Sequence, residues 1–104
     1  MRLRLSHRAR ADLDAIWEFT ARRCSTVQAE RYYRDVADAI HDLTTGRRRG
    51  RELGFGEVGW MRLNVRSHVV FYFRESDELH VLRVLHQSMD AKRHLRMRPN
   101  RPTE

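Results

Sequence analysis

The sequence has one cysteine, two prolines, one lysine and no apolar run of the roughly 20 residues that a membrane span needs. Cys24 has no partner for an internal disulfide, and the N-terminal residues lack the apolar segment of a signal peptide. The 104 residues suffice for one modest core but not for two. We therefore expect a cytoplasmic protein with a single domain at residues 1–95, followed by a basic, frayed tail at 96–104.

Basic residues outnumber acidic ones by 21 to 14, and the positive charge is almost all arginine. The formal net charge is +7, the isoelectric point is about 10.9, and Lys92 is the only lysine. Arginine favours planar, two-pronged contacts with phosphates and carboxylates. The balance predicts a polyanionic or acidic partner, although a genome with GC-rich codon usage would give the same composition.

Two apolar runs, at 69–73 and 79–85, flank a short polar turn. This arrangement is typical of a β-hairpin, and the nearly continuous apolar character indicates burial on both faces. After the second run, Ser88 is placed to cap a short helix, with Asp90 in its first turn. We expect this hairpin to be the centre of the fold.

The rest of the chain predicts a β-α-α-β-β-β order. Residues 2–5 alternate as a first strand, Ser6 and Ser25 are placed to cap two amphipathic helices, and Gly46 ends the second helix. Residues 60–66 alternate again as a strand, with Met61, Leu63 and Val65 on one face and Trp60, Arg62, Asn64 and Arg66 on the other. The expected class is α+β, with an antiparallel sheet, a helical hairpin packed on one face and a short C-terminal helix. The predicted core comprises Leu3, Leu5, Leu13, Ile16, Trp17, Tyr32, Val36, Ile40, Leu63, Val65, Val69, Phe71, Leu82 and Val84.

Between the second helix and that strand lies a loop that is rich in arginine and glycine at 47–59. Leu53 and Phe55 are its expected anchors. Its arginines allow two interpretations, a phosphate-binding patch or a solvated loop.

The segments Ser67-His68-Val69-Val70-Phe71-Tyr72 and Arg83-Val84-Leu85-His86-Gln87-Ser88-Met89-Asp90, with His94-Leu95, closely resemble the signature segments of the ParE toxins. These toxins belong to the ParE/RelE superfamily of bacterial toxin–antitoxin systems. The resemblance covers roughly residues 2–95. It departs at Arg66, where the family usually has glycine.

The resemblance implies the ParE/RelE fold, inhibition of DNA gyrase and neutralisation by a cognate antitoxin in a hetero-oligomer. It implies no cofactor and no enzymatic activity. From face and charge we predict a target-binding set of Trp60, Arg62, Arg66, Arg83, His86, Met89, Asp90 and Arg93. The predicted antitoxin-binding set is Leu13, Ile16, Trp17, Tyr33 and Arg74.

Two other functions stay open. RelE-type relatives cleave ribosome-bound mRNA, which would use Arg62, Arg66 and Arg83 with His86 as the proton-transfer group. Against this, the chain lacks strand lysines and a tyrosine after the last strand. A general basic nucleic-acid-binding module is the third possibility. No histidine has a zinc-type spacing, so we expect no metal site.

Overall fold

A mixed five-stranded sheet carries two long helices on one face and one short helix on the other in the computed structural model, which describes residues 1–95. The strands lie in the order β1-β5-β4-β3-β2. In chain order the elements are β1 (Arg2–Leu5), α1 (His7–Arg23), α2 (Thr26–Thr45), β2 (Arg51–Glu52), β3 (Met61–Val65), β4 (His68–Glu75), β5 (Glu78–His86) and α3 (Ala91–Leu95). The predicted α+β class is confirmed.

Both long helices begin and end where the sequence predicts. The Ser6 hydroxyl accepts from the Ala9 N–H at 2.9 Å and donates to the Leu82 carbonyl at 2.7 Å, so it caps α1 and ties it to β5. The Ser25 hydroxyl accepts from the Gln28 N–H at the start of α2. Gly46 ends α2 in the left-handed conformation, with φ of +86°.

The central hairpin of β4 and β5 is buried on both faces, as its apolar runs predict. The first cluster, under α1 and α2, includes Val70 and Val84; the second, on the opposite face, includes Val69, Phe71 and Leu85. Of the predicted core, eight residues are buried: Leu13, Ile16, Val36, Ile40, Val65, Val69, Phe71 and Val84. Four others are partly buried and pack on the clusters: Leu5, Tyr32, Leu63 and Leu82.

The prediction of an inward-facing Leu3 is wrong, because this side chain is 43% exposed. β1 is an edge strand beside β5. Leu5 packs on the first cluster, whereas Leu3 lies beyond the area that the helices cover. Trp17, also predicted in the core, is only half-buried.

The expectation of a wholly antiparallel sheet is wrong at one strand. β1 pairs with β5 in parallel, while the β2–β3, β3–β4 and β4–β5 pairs are antiparallel. A parallel pair needs a long crossover connection, and here α1, α2 and the strands after them supply it. The loop predicted at 47–59 also contains the two-residue strand β2.

Tyr72 is a large core residue that the periodicity did not single out. It is 1% exposed, and its hydroxyl accepts a 2.9 Å hydrogen bond from the Gly50 N–H. A Cβ atom on Gly50 would lie 2.3 Å from the Arg62 carbonyl oxygen and 2.7 Å from the Tyr72 hydroxyl. Glycine is therefore required here, and the contact fixes the arginine-rich segment to the sheet.

Within residues 1–95, no helix combines the length and apolar character needed to cross a membrane. The tail predicted at 96–104 lies outside the described residues.

Candidate functional site

The alternation of side chains along β3 places Arg62 on the face of the sheet that points away from the long helices. Met61, Leu63 and Val65 face the long helices, and Val65 is buried there. Because side chains alternate along a strand, Arg62 and Asn64 face the opposite side. The Arg62 guanidinium lies 3.4 Å from the Asn64 side-chain oxygen on that face.

Arg83 does not belong to an open binding surface. Its guanidinium donates two hydrogen bonds, of 2.8 and 3.0 Å, to the carboxylate of Asp12 on α1. The two side chains are only 15% and 14% exposed. Asp12 also accepts from the Val84 N–H at 2.9 Å, beyond the end of the β1–β5 pairing. Arg83 thus ties α1 to β5, and its place in the target-binding set stays a prediction.

Arg66 lies in the tight turn between β3 and β4, with φ of +54°. This is the left-handed region that favours glycine, which explains why glycine is usual here in the family that the sequence resembles. The Arg66 guanidinium contacts the Asp35 carboxylate at 3.0 Å and lies 4.6 Å from the centre of the Tyr32 ring. Both contacts are on α2, so Arg66 does not share a face with Arg62 as the alternation predicted.

The structure brings together a histidine pair that sequence reasoning did not connect. The rings of His68 and His86 meet edge to face, with 5.2 Å between centres. The Tyr32 hydroxyl and the His68 Nδ1 atom form a 2.7 Å hydrogen bond, and the same hydroxyl accepts from the Ser67 N–H at 3.0 Å. Burial, and next the charge of His86, lower the pKa of His68 to about 4, with Asp12 opposing the shift. His68 is therefore neutral near pH 7.

His86 begins an ordered turn after β5. Its Nδ1 atom accepts from the Ser88 N–H at 3.1 Å and lies 2.8 Å from the Ser88 hydroxyl, while its carbonyl accepts from the Met89 N–H. Ser88 consequently does not cap α3, which corrects the predicted cap. The helix begins two residues later, at Ala91, and the Asp90 carboxylate lies 3.4 Å from the Arg93 N–H as its cap.

Three predicted target residues surround this turn and its helix. Met89 is 41% exposed, and Asp90 and Arg93 are exposed as well. Asp90 has a structural role as the cap of α3, whereas Met89 and Arg93 remain available to a partner.

Trp60 is half-buried, and its ring packs against other side chains of the protein. It packs against the second cluster, and its ring fills the space above Gly56, where a Cβ atom would lie 2.6 Å from a ring carbon. Gly56 has φ of +77°. The expected loop anchors are confirmed, because Leu53 is buried and Phe55 packs beside it.

A basic groove of about 640 Å³ lies between residues 49–53 and 62–64. Arg51 on β2 and Arg62 on β3 are direct cross-strand partners. Arg48 lies outside this groove and pairs with Asp42 at 3.5 Å. We name Arg49, Arg51 and Arg62 the arginine groove.

The predicted antitoxin-binding residues fall into three environments. Leu13 and Ile16 are core residues, 6% and 7% exposed, so their prediction as direct contacts is corrected by their burial. The Trp17 indole N–H donates to Glu30 at 3.2 Å and links α1 to α2, and Tyr33 packs on the first cluster. Arg74 donates to the Leu43 carbonyl at 3.1 Å, near the end of α2.

The exposed apolar surface of the helix pair lies elsewhere than predicted. Phe19 near the end of α1 is 62% exposed, and Val27 at the start of α2 is 61% exposed. The periodicity did not single out either residue, because it identifies the buried stripe and not the side chains that stay outside it.

Among residues 1–95, no three histidine, cysteine, aspartate or glutamate side chains are grouped so that they would hold a metal ion. Cys24, at the end of α1, is exposed and free.

Comparisons with known proteins agree with one another. Residues 3–91 match the family model described as "ParE toxin of type II toxin-antitoxin system, parDE". The chain is 40% identical to Toxin ParE1 of Caulobacter vibrioides over 92 residues, which are 88% of this chain and 95% of the relative. It is also 40% identical to Toxin ParE1 of Mycobacterium tuberculosis over 93 residues, 88% of this chain and 94% of the relative.

A solved structure titled "Chromosomal ParDE TA system from P. aeruginosa" has a similar fold. The TM-score is 0.70 at 21% sequence identity, and the match covers 83% of this chain and 95% of that chain.

Proposed function

Because the chain belongs to the ParE toxin family of type II toxin–antitoxin systems, we propose that it is a toxin that inhibits DNA gyrase by binding. A cognate antitoxin neutralises it in a toxin–antitoxin hetero-oligomer. In this proposal the toxin acts as an inhibitor and not as an RNA-cleaving enzyme.

One observation carries the choice of inhibition over RNA cleavage: each candidate cation is either paired with a carboxylate or turned away from His86. Arg83 is paired with Asp12, and Arg66 is paired with Asp35. Arg62 faces away from the long helices, whereas the histidine pair lies beside Tyr32 of α2. Cleavage of a phosphodiester needs proton-transfer groups and cations around the same phosphate.

Strand geometry gives the separation of Arg62 from His86. Arg62 pairs with Phe71, and Phe71 pairs with Arg83, which is three residues before His86. Three residues at about 3.3 Å and two strands at about 4.8 Å place the two Cα atoms roughly 14 Å apart. The two side chains also leave the sheet on opposite faces, so they do not meet at one phosphate.

The histidine pair is the observation that favours the alternative, a RelE-like mRNA endoribonuclease. His86 is exposed beside neutral His68, and histidine is the side chain that most often transfers protons in catalysis. However, the His86 Nδ1 atom already accepts from the Ser88 N–H, and the paired Arg83 leaves no free strand cation beside the rings. We therefore keep RNA cleavage as the second candidate.

We propose that the antitoxin covers the outer surface of the helix pair around Trp17, Tyr33, Phe19 and Val27. The two exposed apolar side chains support this placement, because an amphipathic segment would bury them. The net charge of +7 favours an acidic segment. Replacing both Phe19 and Val27 by alanine should weaken binding of the antitoxin, because this apolar surface is then lost. Replacing both Arg8 and Arg10 by alanine is the control, because it leaves the apolar contact in place.

Two assays test the choice of target. The purified toxin is added to gyrase with a relaxed plasmid, and separately to ribosomes programmed with mRNA. The proposal expects loss of supercoiling and intact mRNA. Cleaved mRNA with unaffected gyrase would overturn it, and loss of that cleavage in His86→Ala would establish the alternative.

A further inference from the structure

The arginine groove places like charges together without neutralising them. Arg51 and Arg62 are directly opposite in the β2–β3 pair, and like charges in that position destabilise a sheet. Among the described residues, Arg49 and Arg51 have no carboxylate partner, and Arg62 contacts only the neutral Asn64 side chain. The arrangement costs stability in the free protein, which indicates a use for the uncompensated charge.

The groove is also held in a fixed shape. Gly50 stands between Arg49 and Arg51, and its N–H donates to the hydroxyl of the buried Tyr72. The adjacent Leu53 is buried in the second cluster, and its N–H donates to the Trp60 carbonyl at 2.9 Å. This segment is therefore anchored on both sides of Arg51, unlike the solvated loop that was one interpretation of the sequence.

The chemistry of the groove fits a phosphate backbone. Its lining has three guanidinium groups and the neutral Asn64 side chain, against one carboxylate at Glu52. Because neighbouring side chains alternate, Glu52 faces away from Arg51 on β2. Guanidinium groups bind phosphate oxygens through paired N–H donors.

We propose that the arginine groove binds the phosphate backbone of duplex DNA. No aromatic side chain lines the groove, so it offers no stacking surface of the kind that single-stranded nucleic acids use. The choice of duplex DNA also rests on the proposed inhibition of gyrase, whose substrate is DNA. The toxin would then bind both gyrase and the DNA that gyrase cleaves.

Fluorescence anisotropy with a labelled duplex of about 30 base pairs measures this directly, because each phosphate contact adds about 0.9 to the salt dependence of binding. The groove variant carries Arg49→Ala, Arg51→Ala and Arg62→Ala. Its matched control carries Arg8→Ala, Arg10→Ala and Arg34→Ala, which remove three exposed arginines from the helix pair. Thermal melts establish that both variants are folded.

We expect the groove variant to bind DNA at least about tenfold more weakly and to lower the salt slope by about 1 per arginine, while the control changes much less. An equal loss in both variants, or no DNA binding by the wild-type protein, would overturn the proposal. Tighter groove-dependent binding to single-stranded RNA of the same length would overturn the choice of DNA.

Tyr72→Phe tests whether the anchored shape matters, because it removes the hydroxyl that holds Gly50 and leaves every charge in place. We expect a severalfold loss of DNA affinity in this variant. Unchanged affinity would contradict the role of the anchor.

A supercoiling assay with gyrase separates the proposal of DNA binding by the groove from the proposal of gyrase inhibition. If the wild-type toxin leaves supercoiling intact, gyrase inhibition fails whatever the groove does. If the wild-type toxin and the groove variant inhibit gyrase equally, a role of the groove in inhibition is overturned and gyrase inhibition stands.

Discussion

Asp12 on α1 holds Arg83 on β5 through two hydrogen bonds of 2.8 and 3.0 Å. The same carboxylate accepts from the Val84 N–H, so one side chain supplies the hydrogen-bond acceptor at the edge of β5 beyond the end of its pairing with β1. Arg83 belongs to the segment that carries the family resemblance. Its pairing with Asp12 gives it a structural role in the fold.

Replacing Asp12 by alanine should therefore destabilise the protein strongly. The change leaves a largely buried guanidinium and a backbone N–H without their acceptor, which costs about 2–4 kcal/mol. Urea unfolding measures this loss. Asp14→Ala, at an exposed position on the same helix, is the control and should change the free energy of unfolding by less than about 0.5 kcal/mol. Equal effects of the two changes would contradict the bridging role.

The turn at Arg66 allows a matched pair of variants. Arg66→Gly and Arg66→Ala both lose the contacts with Asp35 and Tyr32, but only glycine adopts φ of +54° without strain. The glycine variant should be more stable than the alanine variant by about 1 kcal/mol. Thermal or urea unfolding of both proteins decides it. A more stable alanine variant would show that this turn changes conformation on substitution.

The lowered pKa of His68 predicts that the folded protein loses stability in mild acid. Its folded-state pKa of about 4 lies below the ordinary value of 6.5, so the unfolded chain binds more protons between these values. Stability contributed by this group is complete above pH 6.5 and falls as the pH falls towards 4, by at most about 1.4 kcal/mol per pH unit.

The measurement is the free energy of unfolding between pH 4 and 7 for the wild-type protein and His68→Gln. The variant should show the shallower dependence, because the other histidines are common to both proteins. Identical slopes would place the pKa of His68 near its ordinary value.

Phe71 lies at the centre of the second cluster and is 2% exposed. Phe71→Ala should lower the free energy of unfolding by about 3–5 kcal/mol, through lost burial and the cavity left behind. Phe19→Ala, which removes the same side chain from a site that is 62% exposed, is the control and should cost much less. A melting temperature unaffected by Phe71→Ala would refute its place in the core.

The sequence predicts the fold well because hydrophobic periodicity and capping are local properties. Ser6, Ser25 and Gly46 mark the helix ends, and the runs at 69–73 and 79–85 mark the central hairpin. Strand direction is not local. Nothing in residues 2–5 distinguishes a parallel partner from an antiparallel one, so the sequence pattern does not predict the parallel pairing of β1 with β5.

The candidate site was harder to predict because it depends on contacts between distant residues. The Asp12–Arg83 pair spans 71 positions, and the Tyr32–His68 pair spans 36. Alternation placed Arg62 correctly on the face away from the helices. The same rule failed for Arg66, because a left-handed turn residue no longer follows the strand period.

The most direct test of gyrase inhibition is accumulation of cleaved DNA. Purified gyrase, a supercoiled plasmid and the toxin are incubated together, the reaction is stopped with detergent and protease, and linear DNA is quantified on a gel. We expect linear DNA to rise with toxin concentration, and to fall when the antitoxin is added first. Unchanged supercoiling and no linear DNA at an excess of folded toxin would contradict the account.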